Sequence, residues 1–252
     1  MLTETIQFEV TERICHLTLN RPERLNALNL QMFERMDSLL DGLDLASVDC
    51  LLLGGAGRSF CAGHDLDDLA AGDESGEAEL IENRLVERLA NLPFPVVAQV
   101  QGHCYTGGLE LVLSADIIVA ATDAKFADTH AKWDLVPVWG LTQRLPRRVG
   151  MSKAKEMMFS SRTYSGAQAA EMGLVDIAVD PADLNAEVEK LCSDIRANSG
   201  RSNRAIKKLL SDTDGLSLAA GISWELHRSP GHGPSFAETI MAKRRELAQA
   251  KA

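Results

Sequence analysis

Residues 94–121 read Phe94-Pro95-Val96-Val97-Ala98-Gln99-Val100-Gln101-Gly102-His103-Cys104-Tyr105-Thr106-Gly107-Gly108-Leu109-Glu110-Leu111-Val112-Leu113-Ser114-Ala115-Asp116-Ile117-Ile118-Val119-Ala120-Ala121. Val96 to Val100 is a short apolar run behind a proline, as in a buried strand. From Gly107 the pattern turns helical through Leu113, and Ile117 to Ala121 is again strand-like. Strand, helix, strand at this spacing predicts the α/β class, because parallel strands need crossover connections.

Upstream, Ile6 to Thr11 and Ile14 to Leu19 read as paired strands or a hairpin, and Asn20-Arg21-Pro22 as a turn. Met32, Phe33, Met36, Leu39, Leu40 and Leu43 form one helical stripe. Cys50 to Leu53 is a buried strand ending at Gly54-Gly55, and Leu80, Ile81, Leu85 and Leu89 form a second stripe that stops before Pro93. Beyond about Ser165 the reading is almost wholly helical. Ser165 is a helix cap with Gly173 just past the end, and Ala182–Ala197, Ser202–Leu210 and Phe236–Ala250 follow. No internal repeat stands out in the sequence.

Composition narrows the function. Of 252 residues 45% are hydrophobic, which excludes a disordered chain, and the net charge of −10 argues against a broad polyanion-binding surface, hence against nucleic acid. The most apolar region, Leu109 to Ala121, is interrupted by Glu110 and Asp116, short of the ~18–20 apolar residues of a membrane span. The first ten residues carry acids where an export signal carries Lys or Arg. Five scattered cysteines without a CxxC pair point away from disulfides and zinc. A reduced, cytoplasmic protein with no resident metal is expected.

Three glycine-rich loops follow apolar strands. The first, Gly54 to Ser59, has Phe60 where a dinucleotide fingerprint needs glycine, and neither a phosphate loop nor a GxSxG elbow occurs. The second is Cys61-Ala62-Gly63-His64-Asp65-Leu66 and the third is Gly102 to Leu111. Backbone N–H groups at Gly107 and Gly108 open a helix and are free to face a developing negative charge. Glu110 lies one turn inside that apolar helix, where burial penalises its charged form. Spacing alone leaves it open between an acid/base and an acid paired or turned to solvent. For His64, His103 and His130 the structural reading leads, since a lone histidine is more often a structural hydrogen-bonder than a ligand or base.

Five motifs occur in one order: Asn20-Arg21-Pro22 with Asn26-Ala27-Leu28; Ser59 to Leu66; Gly102 with Thr106 to Leu111; Ala115-Asp116-Ile117; and Gly140 to Pro146. Together they resemble the enoyl-CoA hydratase/isomerase family, the crotonases, from about Phe8 to the C-terminus. The resemblance implies a spiral of ββα units over residues 1–195 and a helical, trimerising region over 196–252. It implies an acyl-CoA thioester as ligand, with coenzyme A part of the substrate and no separate cofactor, and assembly as a homotrimer or a dimer of trimers. Carried over by position, the amides of His64 and Gly107 form the oxyanion hole. Arg24, Leu25, Ala27, Ala62, Asp65 and Leu66 border CoA, and Lys243 reaches a CoA phosphate from an adjacent subunit. Trp133 and Trp139 fall at the acyl pocket, Trp139 in place of a small residue.

One position departs from the family pattern. Glu110 matches the first of two hydratase glutamates, whereas the second falls on His130, with Asp128 or Asp134 available to orient it. Three functions follow: hydration of a 2-enoyl-CoA by Glu110 and His130; isomerisation of an enoyl-CoA by Glu110 alone; or acyl-CoA binding without efficient turnover.

Overall fold

A computed structural model describes residues 4–71 and 76–249. The chain separates into two compact units, Met1–Ala197 and Asn198–Ala252. The first opens with β1 (Ile6–Thr11) and β2 (Ile14–Leu19), followed by α1 (Leu30–Asp41), β3 (Cys50–Gly55), α2 (Leu66–Ala71) and α3 (Glu77–Ala90). Then come β4 (Val96–Val100), β5 (His103–Tyr105), α4 (Gly107–Val112), β6 (Ile117–Ala121), β7 (Lys125–Ala127), α5 (Leu141–Val149) and α6 (Met151–Ser160). The unit closes with β8 (Tyr164–Ser165), α7 (Gly166–Glu171), β9 (Ile177–Val179) and α8 (Leu184–Ala197). The second unit contains α9 (Gly200–Thr213), α10 (Leu218–Arg228) and α11 (Phe236–Gln249). Among the described residues no helix is long and apolar enough to cross a membrane.

Six strands form one sheet in the order β1-β2-β3-β4-β6-β9, and β5-β7-β8 form a second. β1 and β2 are an antiparallel hairpin whose two turn residues, Glu12 and Arg13, both have positive φ. From β2 through β9 every pairing in the large sheet is parallel. Central β4 is buried almost throughout, which is why it reads as an uninterrupted apolar run rather than an alternation. A strand of the large sheet, a short strand of the small one and a helix recur as β4-β5-α4 and β6-β7-α5, the α/β spiral of ββα units. The repetition lies in the backbone.

Local chemistry starts the helices. The Asn29 side chain accepts from Met32 N to cap α1, whose stripe Met32, Phe33, Met36 and Leu40 is buried. Ser165 and Gln168 make a reciprocal capping box on α7. The structure corrects the sequence reading in four places. Leu80 is exposed, and the buried stripe of α3 is Glu82, Leu85, Val86 and Leu89. β3 runs on through Gly54 and Gly55 because these pair with Thr18 and Leu19. The third glycine loop holds a strand, β5, paired with β7. Beyond Ser165 the chain is not all helix, since β9 adds a sixth strand beside β6, and α10 fills the stretch between the helices expected around 202–210 and 236–250. Ala250 lies outside the described residues.

Candidate active site

The site is assembled from backbone first. Leu28 N donates to Gly63 O and Asp65 N to Leu28 O, while Ala62 N donates to Leu25 O. On its other side the same segment exchanges Cys61 N to His103 O and Tyr105 N to Cys61 O. Residues 61–65 are thus laced between 25–28 and β5. Gly63 sits at φ +114°, where side chains are disfavoured, and a Cβ there would also stand 3.3 Å from Tyr105 O and 3.8 Å from Gly107 N. A Cβ on Gly107 would lie 3.4 Å from His64 N. The His64 and Gly107 amides therefore occupy neighbouring positions, and neither donates a hydrogen bond among the described residues. Thr106, just before Gly107, is held at φ 50°, ψ −110°, which costs energy for a β-branched residue. Its hydroxyl bonds Thr129 Oγ1 at 2.5 Å, tying the strained residue to the chain that leads into His130.

Buried polar pairs lock the first of these loops. Arg21 bonds Asp65 at 2.9 Å and Ala27 O at 2.7 Å. Burial alone would raise the Asp65 pKa, but the bond to Arg21 and a second from Asp67 N hold it below the usual carboxylate range. Buried Asn26 accepts from Arg21 N and donates to Ala56 O and Ser59 O. The Cys61 thiol, pushed up to about 12 by burial, stays protonated at neutral pH and is packing rather than a nucleophile.

Glu110 and His130 come together, although twenty residues separate them. Glu110 Oε1 accepts from Trp139 N at 2.9 Å and Leu141 N at 3.3 Å, and its other oxygen, Oε2, lies 3.4 Å from His130 Nε2. Asp128 stands behind: its Oδ1 is 2.5 Å from His130 Nδ1 and also accepts from His130 N. All three side chains are buried. Burial by itself would lower the imidazole pKa. The bonds to Asp128 and Glu110 outweigh it and push His130 up to about 9, so at neutral pH it is an imidazolium between two carboxylates. Asp128, not Asp134, is the orienting acid.

Against this group lies the Trp139 indole, 3% exposed. Its Cζ3 is 2.6 Å from the place a Gly107 Cβ would take, so the ring rests on the bare Cα of that glycine. The ring meets Phe33 edge-on at 4.9 Å and the His64 imidazole at 5.7 Å between centroids. His64 Nε2 in turn bonds Glu82 at 2.8 Å, both side chains largely buried. Burial opposes the charged imidazole, yet the Glu82 hydrogen bond and charge raise its pKa above the ordinary value. Glu82 escaped sequence reasoning, but a signal existed: it falls on the helix face of Leu85, Val86 and Leu89, where an acid needs a partner.

Not every expected residue joins the group. Trp133 ends the 3₁₀ turn that begins at His130, just before Asp134 adopts φ 56°, and is 55% exposed, so the structure brings Trp139 alone of the two to the buried cluster. Leu66 is half exposed at the start of α2, and Leu25 takes a left-handed conformation that ends the 3₁₀ turn Pro22–Arg24. Exposed Arg24 pairs with Asp67 at 3.2 Å. Ala62 is partly buried. Lys243 is exposed on α11 in the second unit.

The ββα spiral, with two unpaired amides and a buried Glu110–His130 contact, defines a protein of the crotonase class. A sequence model described as Enoyl-CoA hydratase/isomerase matches residues 9–242, and the chain belongs to that family. It is 34% identical to the 1,2-epoxyphenylacetyl-CoA isomerase of Escherichia coli K12, over 96% of this chain and 95% of that one. It superposes on the enoyl-CoA hydratase of Bacillus anthracis with a TM-score of 0.91 at 29% identity, covering 96% of this chain and 97% of the other. A Thermobifida fusca protein solved in complex with acetoacetyl-CoA is 27% identical, with a TM-score of 0.82 over 89% of this chain and 92% of that one.

Proposed function

We propose that this protein adds water to a 2-enoyl-CoA to give a 3-hydroxyacyl-CoA. The observation that carries the reading is the contact of Glu110 with His130 beside the His64 and Gly107 amides. The thioester oxygen accepts from the two amides, which stabilise the enolate charge that develops there. Glu110 takes a proton from water as the oxygen bonds to C3, and the His130 imidazolium delivers its Nε2 proton to C2. Afterwards Glu110 is protonated and His130 neutral, and one transfer across their 3.4 Å contact restores both. Short CoA thioesters are supported as ligands by the acetoacetyl-CoA held in the Thermobifida fusca structure. In the same reading Arg24, Leu25, Ala27, Ala62, Asp65 and Leu66 border the CoA, and Lys243 of a neighbouring subunit meets its phosphate in a trimer or pair of trimers working in the cytoplasm.

Isomerisation of an enoyl-CoA is the second reading. It is favoured by the family description, which names isomerase beside hydratase, and by the fixing of Glu110 Oε1 by two amides, which leaves one oxygen to shuttle a single proton. Purified protein is offered a 2-enoyl-CoA and, separately, a 3-enoyl-CoA, and the conjugated thioester absorbance is followed. Hydration consumes the chromophore of the first, isomerisation creates it from the second, and a mere binder does neither. Glu110→Gln should lower turnover by about 10²–10⁴, and wild-type rates in that variant would end the assignment. His130→Ala abolishes hydration and spares isomerisation.

A further inference from the structure

Three buried side-chain polar atoms have no hydrogen-bond partner among the described residues: Gln101 Oε1, Ser161 Oγ and Trp139 Nε1. The first two are acceptor-capable oxygens, for which incomplete pairing is the commoner case. Gln101 already donates to Gly55 O and Gly57 O through its nitrogen. Trp139 is different in kind and in place. Its Nε1 is a pure donor, buried tryptophans ordinarily pair it, and leaving it unpaired is costly. It also belongs to the ring resting on Gly107 beside the His64 amide.

The ring cannot readily turn away to find an acceptor elsewhere. Trp139 N donates to Glu110 and Trp139 O accepts from Arg144 at 2.7 Å, so the backbone on both sides of the side chain is held. The Phe33 edge packs against the ring. Of the other polar groups around the indole, the His64 imidazole is engaged, Nε2 with Glu82 and Nδ1 with Asp65 O at 3.3 Å. Glu110 Oε1 is shared by two amides and Oε2 faces His130. Apart from the His64 and Gly107 amides, which face the thioester oxygen in the reading above, the indole N–H is the donor left over among the described groups around the ring.

We infer that Trp139 selects the substrate, its indole N–H bonding an oxygen carried by the acyl group beyond C3. The inference rests on the acyl-CoA reading above and deepens it: the bulk of the ring limits the acyl group to a short one, and its N–H demands that the group be oxygenated. A hydrocarbon of the same shape would leave the donor unpaired, and sites built to bond a substrate oxygen discriminate strongly against analogues that lack it.

The test uses two saturated thioesters of matched shape, neither offering a double bond to the acid–base pair: 4-oxopentanoyl-CoA and 4-methylpentanoyl-CoA. Calorimetric titration of the full chain should show the oxo ligand binding about 10-fold more tightly or better. Trp139→Phe should remove that preference without weakening the methyl ligand. Equal affinities in the native protein, or a preference that survives in the variant, overturn the inference alone. If neither thioester binds, the acyl-CoA reading falls and takes the inference with it. Should Trp139→Phe fail to fold, the native protein still decides. Of the three tryptophan indole N–H signals seen after ¹⁵N labelling, the solvent-protected one should move downfield with 4-oxopentanoyl-CoA and not with its methyl counterpart. No difference between the two ligands overturns the inference.

Discussion

Changing Asp128 to asparagine keeps the shape of the site and removes one of the two charges that hold His130 protonated. The native imidazole is pushed from 6.5 to about 9, equivalent to about 3 kcal/mol. That figure is what remains after burial has worked against the charge. Asp128 is the nearer partner, at 2.5 Å against 3.4 Å for Glu110, and contributes the larger share of the rise. In Asp128→Asn the His130 pKa should fall by at least about one unit, on the order of 1–2 kcal/mol. Titration of ¹³C-labelled histidine by NMR reads this directly. In parallel, the alkaline limb of kcat/KM should move to lower pH by the same amount, while the rate near pH 6 stays within about 10-fold of native. A His130 that titrates near its ordinary value in the native protein, or an unmoved alkaline limb in the variant, refutes the assignment of Asp128 as the positioning acid.

Further outcomes follow from the same geometry. Because the folded pKa of His130 is raised, its stabilisation is complete below about pH 6.5 and is lost as pH climbs through about 9. Urea unfolding from pH 6 to 10 should show a fall of about 3 kcal/mol from His130, which His130→Gln removes, leaving only the contribution of the same sign from His64. Gly107→Ala places a methyl 2.6 Å from the indole and should cost about 1–3 kcal/mol in urea unfolding along with turnover; in a Trp139→Ala background, where the ring is gone, the same change should cost less. Arg21→Ala strands buried Asp65 and should destabilise by about 3–5 kcal/mol, measured by the same method.

How far the sequence carried differs between long and short elements. The runs Val96–Val100 and Ile117–Ala121 and the stripe of α1 announce themselves because burial of several successive turns or residues leaves a period. β5, β7 and β9 have three residues each, too few for any period, and exist because a neighbouring strand presents matching groups. α5 carries Pro146 inside its nine residues, a breaker by local rules, accepted in a short helix with Leu141 and Leu145 buried. In the site, the resemblance to the family pattern is enough to pair His130 with Glu110. The Glu82 bond to His64 and the two amides on Glu110 join residues 18 to 31 positions apart, and such meetings are products of packing.

The position of Asp128 has a consequence for how such a site can change over generations. A mutation of His130 alone to glutamate would bring a third carboxylate beside Glu110 and Asp128, all buried, and one or more would have to take up a proton. The histidine form and a two-glutamate form are therefore not neighbours by single substitution. Neutralising Asp128 before or with the exchange avoids that crowding, so the residue behind His130 weighs on which side chain this position can accept next.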